Sequence, residues 1–87
     1  MDVKITIWWD TQDRNNEGWA CHLSRDEGYG FESDFSDPVD AEKDAPLQDV
    51  IDEALTGVRN VPAAALVARN WRRDQGDGYE FRGSVEA

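Results

Sequence analysis

Leu47, Val50, Ile51, Ala54 and Leu55 recur at three- and four-residue spacing, and this stripe constrains the fold of the whole chain. It is one face of a 3.6-period helix. Asp49, Asp52 and Glu53 fall on the opposite face. Asp44 and Pro46 suit a first turn, because a carboxylate can accept free N–H groups and proline gives up a donor that is orphaned there anyway. Gly57 suits the left-handed conformation that ends a helix. Residues 44–57 are therefore expected to form a helix with one apolar stripe and one wholly acidic side. A single stripe of this kind is stable only against a second layer.

The rest of the chain supplies a sheet. Val3, Ile5, Ile7 and Trp9 alternate with Lys4, Thr6, Trp8 and Asp10, the pattern of a strand with one buried face. A polar loop over residues 10–18 leads to a second alternation, Trp19, Cys21 and Leu23 against Ala20, His22 and Ser24. The two strands are expected to pair antiparallel. Arg25-Asp26-Glu27-Gly28 reads as a turn. Tyr29, Phe31 and Phe35 mark a third, shorter strand, with an acidic loop from Ser36 to Asp44 after it. Beyond the helix, Ala63 to Trp71 reads as a second helix by propensity, while the alternation of Val67, Arg69 and Trp71 would also suit a strand. Tyr79, Phe81, Gly83 and Val85 mark the last strand. The expected fold is α+β in the order β-β-β-α-(α)-β: an antiparallel sheet of about four strands with one or two helices on one face.

At 87 residues the chain fits one domain, residues 1–87. A chain of this size buries only roughly 60–65% of its unfolded surface, enough for one two-layer core. No apolar run is long enough for a membrane span or a signal peptide. The single cysteine, Cys21, excludes an internal disulfide and points to the cytoplasm.

The net charge of −10 is unevenly placed. Residues 26–53 hold eleven acids (Asp26, Glu27, Glu32, Asp34, Asp37, Asp40, Glu42, Asp44, Asp49, Asp52 and Glu53) against one base, Lys43. Residues 58–87 hold five arginines and four acids. Such a field repels nucleic acid and anionic membranes and attracts basic surfaces. A genome-wide preference for Asp over Glu and Arg over Lys is an alternative source of the excess, but would not explain its clustering.

Catalytic constellations are hard to assemble. Cys21 and His22 are neighbours on a strand, so they point to opposite faces, and the spacing argues against a nucleophile–base pair. Asp10, Asp13, Asn15 and Glu17 offer oxygens without the spacing of a calcium loop. Zinc lacks ligands, and no cofactor is implied. Asp49, Asp52 and Glu53 read as a solvated helix face. Gly76-Asp77-Gly78 has no lysine and carries a carboxylate that repels phosphate. Arg69, Arg72 and Arg73 make a weak nucleic-acid footprint at this net charge, and are expected to pair with the chain's own acids. Trp8 shares its strand face with Lys4 and Thr6. It is either a binding anchor on an open sheet or a residue covered by the Arg69–Trp71 segment or a loop.

In size, acidity, lone cysteine and lack of a catalytic set, the chain resembles the small phage-encoded inhibitors known as anti-CRISPR proteins. The likeness is one of type, since that class has no shared motif. It implies a stoichiometric inhibitor whose acids stand where phosphates would lie in the basic groove of a Cas protein. The expected contact residues are Asp26, Glu27, Glu32, Asp34, Asp37, Asp40, Glu42, Asp49, Asp52 and Glu53, with Trp8. Joint replacement of Asp34, Asp37 and Asp40 by Asn is expected to weaken inhibition and leave the fold intact. Residues 3–57 are also similar in their β-β-β-α order to HicB-type antitoxins, which block a small RNA-cleaving toxin, although the Pro-Gly-Cys turn of that family is missing. A third possibility is a self-associating phage structural or regulatory protein, dimerising through Trp8 and an open sheet edge.

Overall fold

The computed structural model describes residues 1–11, 17–74, 76 and 78–86. Within them the chain forms an α+β fold: an antiparallel five-stranded sheet with one helix and two short 3-10 turns on one face. The strands are β1 (Asp2–Asp10), β2 (Gly18–Asp26), β3 (Phe31–Val39), β4 (Arg72–Arg73) and β5 (Tyr79–Ser84), in spatial order β3-β2-β1-β5-β4. Helix α1 spans Leu47–Leu55.

Alternation on β1 and β2 does what the pattern requires. Val3, Ile5 and Ile7 are fully buried. Ile5 lies opposite Leu23, Ile7 opposite Cys21 and Trp9 opposite Trp19, so both strands turn one apolar face to the helix layer. On the other flank of β1, Ile5 lies opposite Phe81 and Ile7 opposite Tyr79. The stripe of α1 closes this face: Val50, Ile51 and Leu55 are buried, with Leu47 and Ala54 packed at the margin. Each fully buried aliphatic side chain contributes about 1.5–3 kcal/mol relative to exposure, so this seam is the main tie between the layers.

The start of the helix differs from expectation. Pro46 takes the N-cap position with extended backbone, and no side chain caps the helix, so Asp44 does not act there. The carbonyl of Pro46 instead accepts N–H bonds from Asp49 (2.9 Å) and Val50 (3.3 Å). At the other end Gly57 has φ +77°, the left-handed backbone its identity predicted.

Two further expectations are corrected, and the sheet gains one short strand. The third strand starts at Phe31 rather than Tyr29, and runs nine residues to Val39, through part of the expected acidic loop. Its apolar alternation is weak because it is an edge strand, exposed almost throughout, and pairs with β2 by backbone rather than by burial. Residues 63–71 form no second α-helix. They make 3-10 turns at Ala63–Leu66 and Ala68–Asn70, and Trp71 then drops into the core. The indole of Trp71 decides this geometry: its Nε1 donates to the Ala65 carbonyl (2.8 Å), and its ring packs 5.8 Å from that of Phe81. Finally Arg72–Arg73 adds a short fifth strand beside β5, with Arg72 opposite Glu80.

The two ends of the described chain meet at the margin of the sheet. The Met1 ammonium donates to the Val85 carbonyl (3.0 Å), the Val85 N–H donates to the Met1 carbonyl (2.9 Å), and Ser84 Oγ donates to Asp2 Oδ1 (2.6 Å). Among the described residues no helix is long and apolar enough to cross a membrane.

Candidate protein-docking surface

Sheet order decides where the acids go. β3 is an outer strand, so its outward N–H and C=O groups lack a neighbouring strand. Glu32 lies opposite Arg25 and Asp37 opposite Cys21, on the face that carries α1. The chain then leaves β3 through Asp40, Glu42 and Asp44 and enters α1, whose outward side holds Asp49, Asp52 and Glu53. All of these carboxylates are exposed, and Asp26 is half-buried. The strand, connector and helix are consecutive in sequence, and α1 packs beside β3.

The connector is pinned through its backbone. Trp19 Nε1 donates to the Glu42 carbonyl at 2.7 Å, and Lys43 Nζ stands 5.8 Å from the centre of the Trp9 ring. Trp9 and Trp19 meet edge to face at 5.7 Å. These contacts leave the Asp40 and Glu42 carboxylates pointing to solvent.

Counter-ions are scarce. Arg25 Nε donates to Asp34 Oδ2 at 2.9 Å, and this is the one salt bridge from the eleven acids to another described residue. Among the described residues, Arg69, Arg72 and Arg73 form no salt bridge to an acid, contrary to expectation. The Arg73 guanidinium lies 5.3 Å from the Tyr79 ring, and Arg82 pairs with Glu80 at 2.7 Å. Two acids have local structural work. Asp26 Oδ1 accepts the N–H groups of Gly28 (2.8 Å) and Gly30 (3.1 Å). Asp52 Oδ1 accepts from Gln48 Nε2 (3.0 Å). Asp34 also has a structural contact, the bridge to Arg25, which its replacement by Asn would weaken.

The opposite face of the sheet has no covering layer among the described residues. It carries Lys4, Thr6, Trp8, His22, Glu80 and Arg82, a mixed polar surface. His22 Nε2 and Ser33 Oγ are 2.9 Å apart. Trp8 stands here half-buried, opposite Ala20, which in turn faces Pro38. On its other side a Cβ placed on Gly78 would lie 3.4 Å from Trp8 Cβ. Trp71, buried with Phe81 beneath the other face, does not cover Trp8. A cleft of about 450 Å³ beside Trp8 is lined in part by Asp10, Glu17, Asp37 and Pro38.

Cys21 lies in the core on the helix side, and His22 on the open face, as alternation requires. Burial, with the Asp37 carboxylate adding to it, pushes the Cys21 thiol from its ordinary 9.0 up to about 12. The sulfur therefore stays protonated at neutral pH and behaves as a small apolar group. Among the described residues no group of three or more His, Cys, Asp or Glu side chains is placed to hold a metal ion. Asp13 and Asn15 of the polar loop lie outside the described residues.

Sequence reasoning missed the most exposed large side chains of this region. Tyr29 is 93% exposed and Phe31 is 45% exposed. The alternation places Tyr29 in the strand, where it does not lie, and Phe31, which does open β3. The signal was the pair of glycines around Tyr29: Gly28 at φ +115° and Gly30 at φ +97° make a turn that a strand would not tolerate. No protein-family model, curated protein or solved structure matches this chain.

Proposed function

We propose that this protein is a non-enzymatic inhibitor that covers the basic nucleic-acid-binding surface of another protein, with a CRISPR–Cas effector the partner that the anti-CRISPR resemblance favours. One observation carries the reading. Ten of the eleven acids between Asp26 and Glu53 make no salt bridge to another described residue. The charge of those on β3, the connector and α1 stands outward, where a cationic partner would meet it. Coulomb attraction would speed encounter. Exposed ion pairs are worth only ~0–1 kcal/mol each, so affinity would rest on a few apolar anchors.

The test is displacement. Labelled target DNA bound to a purified effector–guide complex is titrated with this protein and followed by fluorescence anisotropy. Release at near-stoichiometric protein supports the proposal. Undiminished DNA binding across representative effectors of each type would remove the Cas partner.

A second reading has one observation in its favour. The order β1-β2-β3-α1 over residues 2–55 is the order on which the similarity to HicB-type antitoxins rests. Suppression of RNA cleavage by a purified toxin of that system, with no effect on any Cas effector, would select it. Self-pairing through β3 is disfavoured on charge, because it brings the Glu32, Asp34 and Asp37 rows of two copies together.

A further inference from the structure

We propose that the tip of the β2–β3 hairpin, Glu27 to Phe31, anchors a docking surface for a cationic protein surface that presents arginine side chains. The inference rests on the acidic-inhibitor reading above and assigns its apolar contact. Tyr29 projects almost wholly into solvent, with Phe31 two residues away at the start of the free strand. A lone exposed aromatic is ordinary. Two on one short turn, held in a fixed shape, are a preorganised contact. Asp26 fixes that shape by accepting both glycine N–H groups, and the glycines supply the left-handed backbone that turns Tyr29 outward.

Hollows flank the turn on both sides. One, of about 570 Å³, includes Asp2, Asp26, Glu27 and Glu86 in its lining. The other, of about 170 Å³, includes Glu27, Tyr29, Glu32 and Asp34. The positive groups at these walls are already engaged: the Met1 ammonium by the Val85 carbonyl, and Arg25 by Asp34 and the carbonyls of Arg59 and Asn60. The walls therefore favour a cationic guest. A second copy of the chain would set carboxylate against carboxylate, and an anionic lipid or nucleic acid would be repelled. Among cations arginine fits best, because its planar group stacks on a tyrosine ring while its N–H fork reaches carboxylates. The chain already shows this stacking within itself, where Arg73 lies over Tyr79 at 5.3 Å.

The test uses the full chain and a nona-arginine peptide, with nona-glutamate as control. At physiological salt, amide shifts of the isotope-labelled protein on adding nona-arginine are expected to be largest from Glu27 to Ser33. Tyr29→Ala is expected to weaken binding about tenfold, and Tyr29→Phe to stay within about twofold, since the ring face is retained. Tyr29 packs against little, so both variants keep the fold. Leu66→Ala, at another exposed apolar residue, serves as the control and is expected to bind normally. Shifts centred on Asp49, Asp52 and Glu53, or a Tyr29→Ala variant that binds like the parent, would overturn the tip assignment while leaving the acidic-surface reading in place. Absence of any binding by nona-arginine would overturn both.

Discussion

Arg25 and Asp34 lie 2.9 Å apart on neighbouring strands, and the same guanidinium donates to the carbonyls of Arg59 (2.8 Å) and Asn60 (2.6 Å). One side chain thus ties β2, the irregular point of β3 and the loop after α1. The register shift on this pair of strands falls between Leu23 and Ser24, next to Arg25, and leaves Asp34 as the residue without an opposite number. Charge-assisted bonds of this kind are worth about 1.5–3 kcal/mol each where shielded, and the Arg25 side chain is 15% exposed. Asp34 is 49% exposed, so the solvated bridge supplies the smaller share. Arg25→Met is expected to lower stability by about 2 kcal/mol and Asp34→Asn by less than about 1 kcal/mol. Urea unfolding of both variants checks the order.

Trp9 and Trp19 give a second contrast. Trp19 Nε1 is satisfied by the Glu42 carbonyl, whereas the buried Nε1 of Trp9 has no hydrogen-bond partner among the described residues. Replacing Trp19 by Phe removes one of two donors to the Glu42 carbonyl, which keeps the Ala45 N–H (3.1 Å). Replacing Trp9 by Phe removes an N–H that is already unsatisfied. Trp19→Phe is therefore expected to cost roughly 0.5–1.5 kcal/mol more than Trp9→Phe. Thermal denaturation followed by circular dichroism measures the difference, and equal costs would contradict it.

Cys21 predicts an alkaline signature. Its thiol ionises near 9.0 when unfolded and near about 12 when folded. Below 9.0 both states are protonated and the site contributes its full stability. Above it the unfolded state loses the proton first, so stability falls until the folded pKa is passed. The limiting slope is about 1.4 kcal/mol per pH unit. Cys21→Ala is expected to show a shallower loss over that interval, which pH-dependent urea midpoints would resolve. The native thiol is also expected to react with an aromatic disulfide reagent far more slowly than the unfolded chain does.

Much of this architecture was legible in the chain. Period-two alternation fixed β1, β2 and β5, and the Leu47–Leu55 stripe fixed the helix, because in each case burial on one face dictates the residue types. Edge and connector segments were not legible for the opposite reason. β3 buries little, so polar residues occupy both of its faces and its length is set by pairing with β2. Residues 63–71 have helix-forming composition, yet the tertiary demand of Trp71 and Phe81 overrides it. At the candidate surface, the placement of Asp49, Asp52 and Glu53 on the outward side of α1 followed from sequence, whereas Asp37 was expected in a loop and lies on β3. The structural duties of Asp26 and Asp34 did not, since they depend on a glycine turn and on an arginine from the neighbouring strand.

Asp37, Asp40 and Glu42 are the cleaner probes of the surface. All three are exposed, and their carboxylates make no salt bridge to another described residue. The triple variant Asp37→Asn, Asp40→Asn, Glu42→Gln is expected to unfold within about 0.5 kcal/mol of the parent, as surface changes usually do. Inhibition by it is expected to weaken at least severalfold, read as the concentration needed for half-displacement of DNA from the effector.

The most direct test is the association rate with that effector as ionic strength rises. Stopped-flow fluorescence, exciting the tryptophans, follows the encounter at several salt concentrations. A steered complex is expected to form at least about tenfold more slowly at ~150 mM salt than at ~15 mM, with a flatter dependence for the triple variant. A rate that does not change with salt, or that is the same for parent and triple variant, would contradict an account built on outward negative charge.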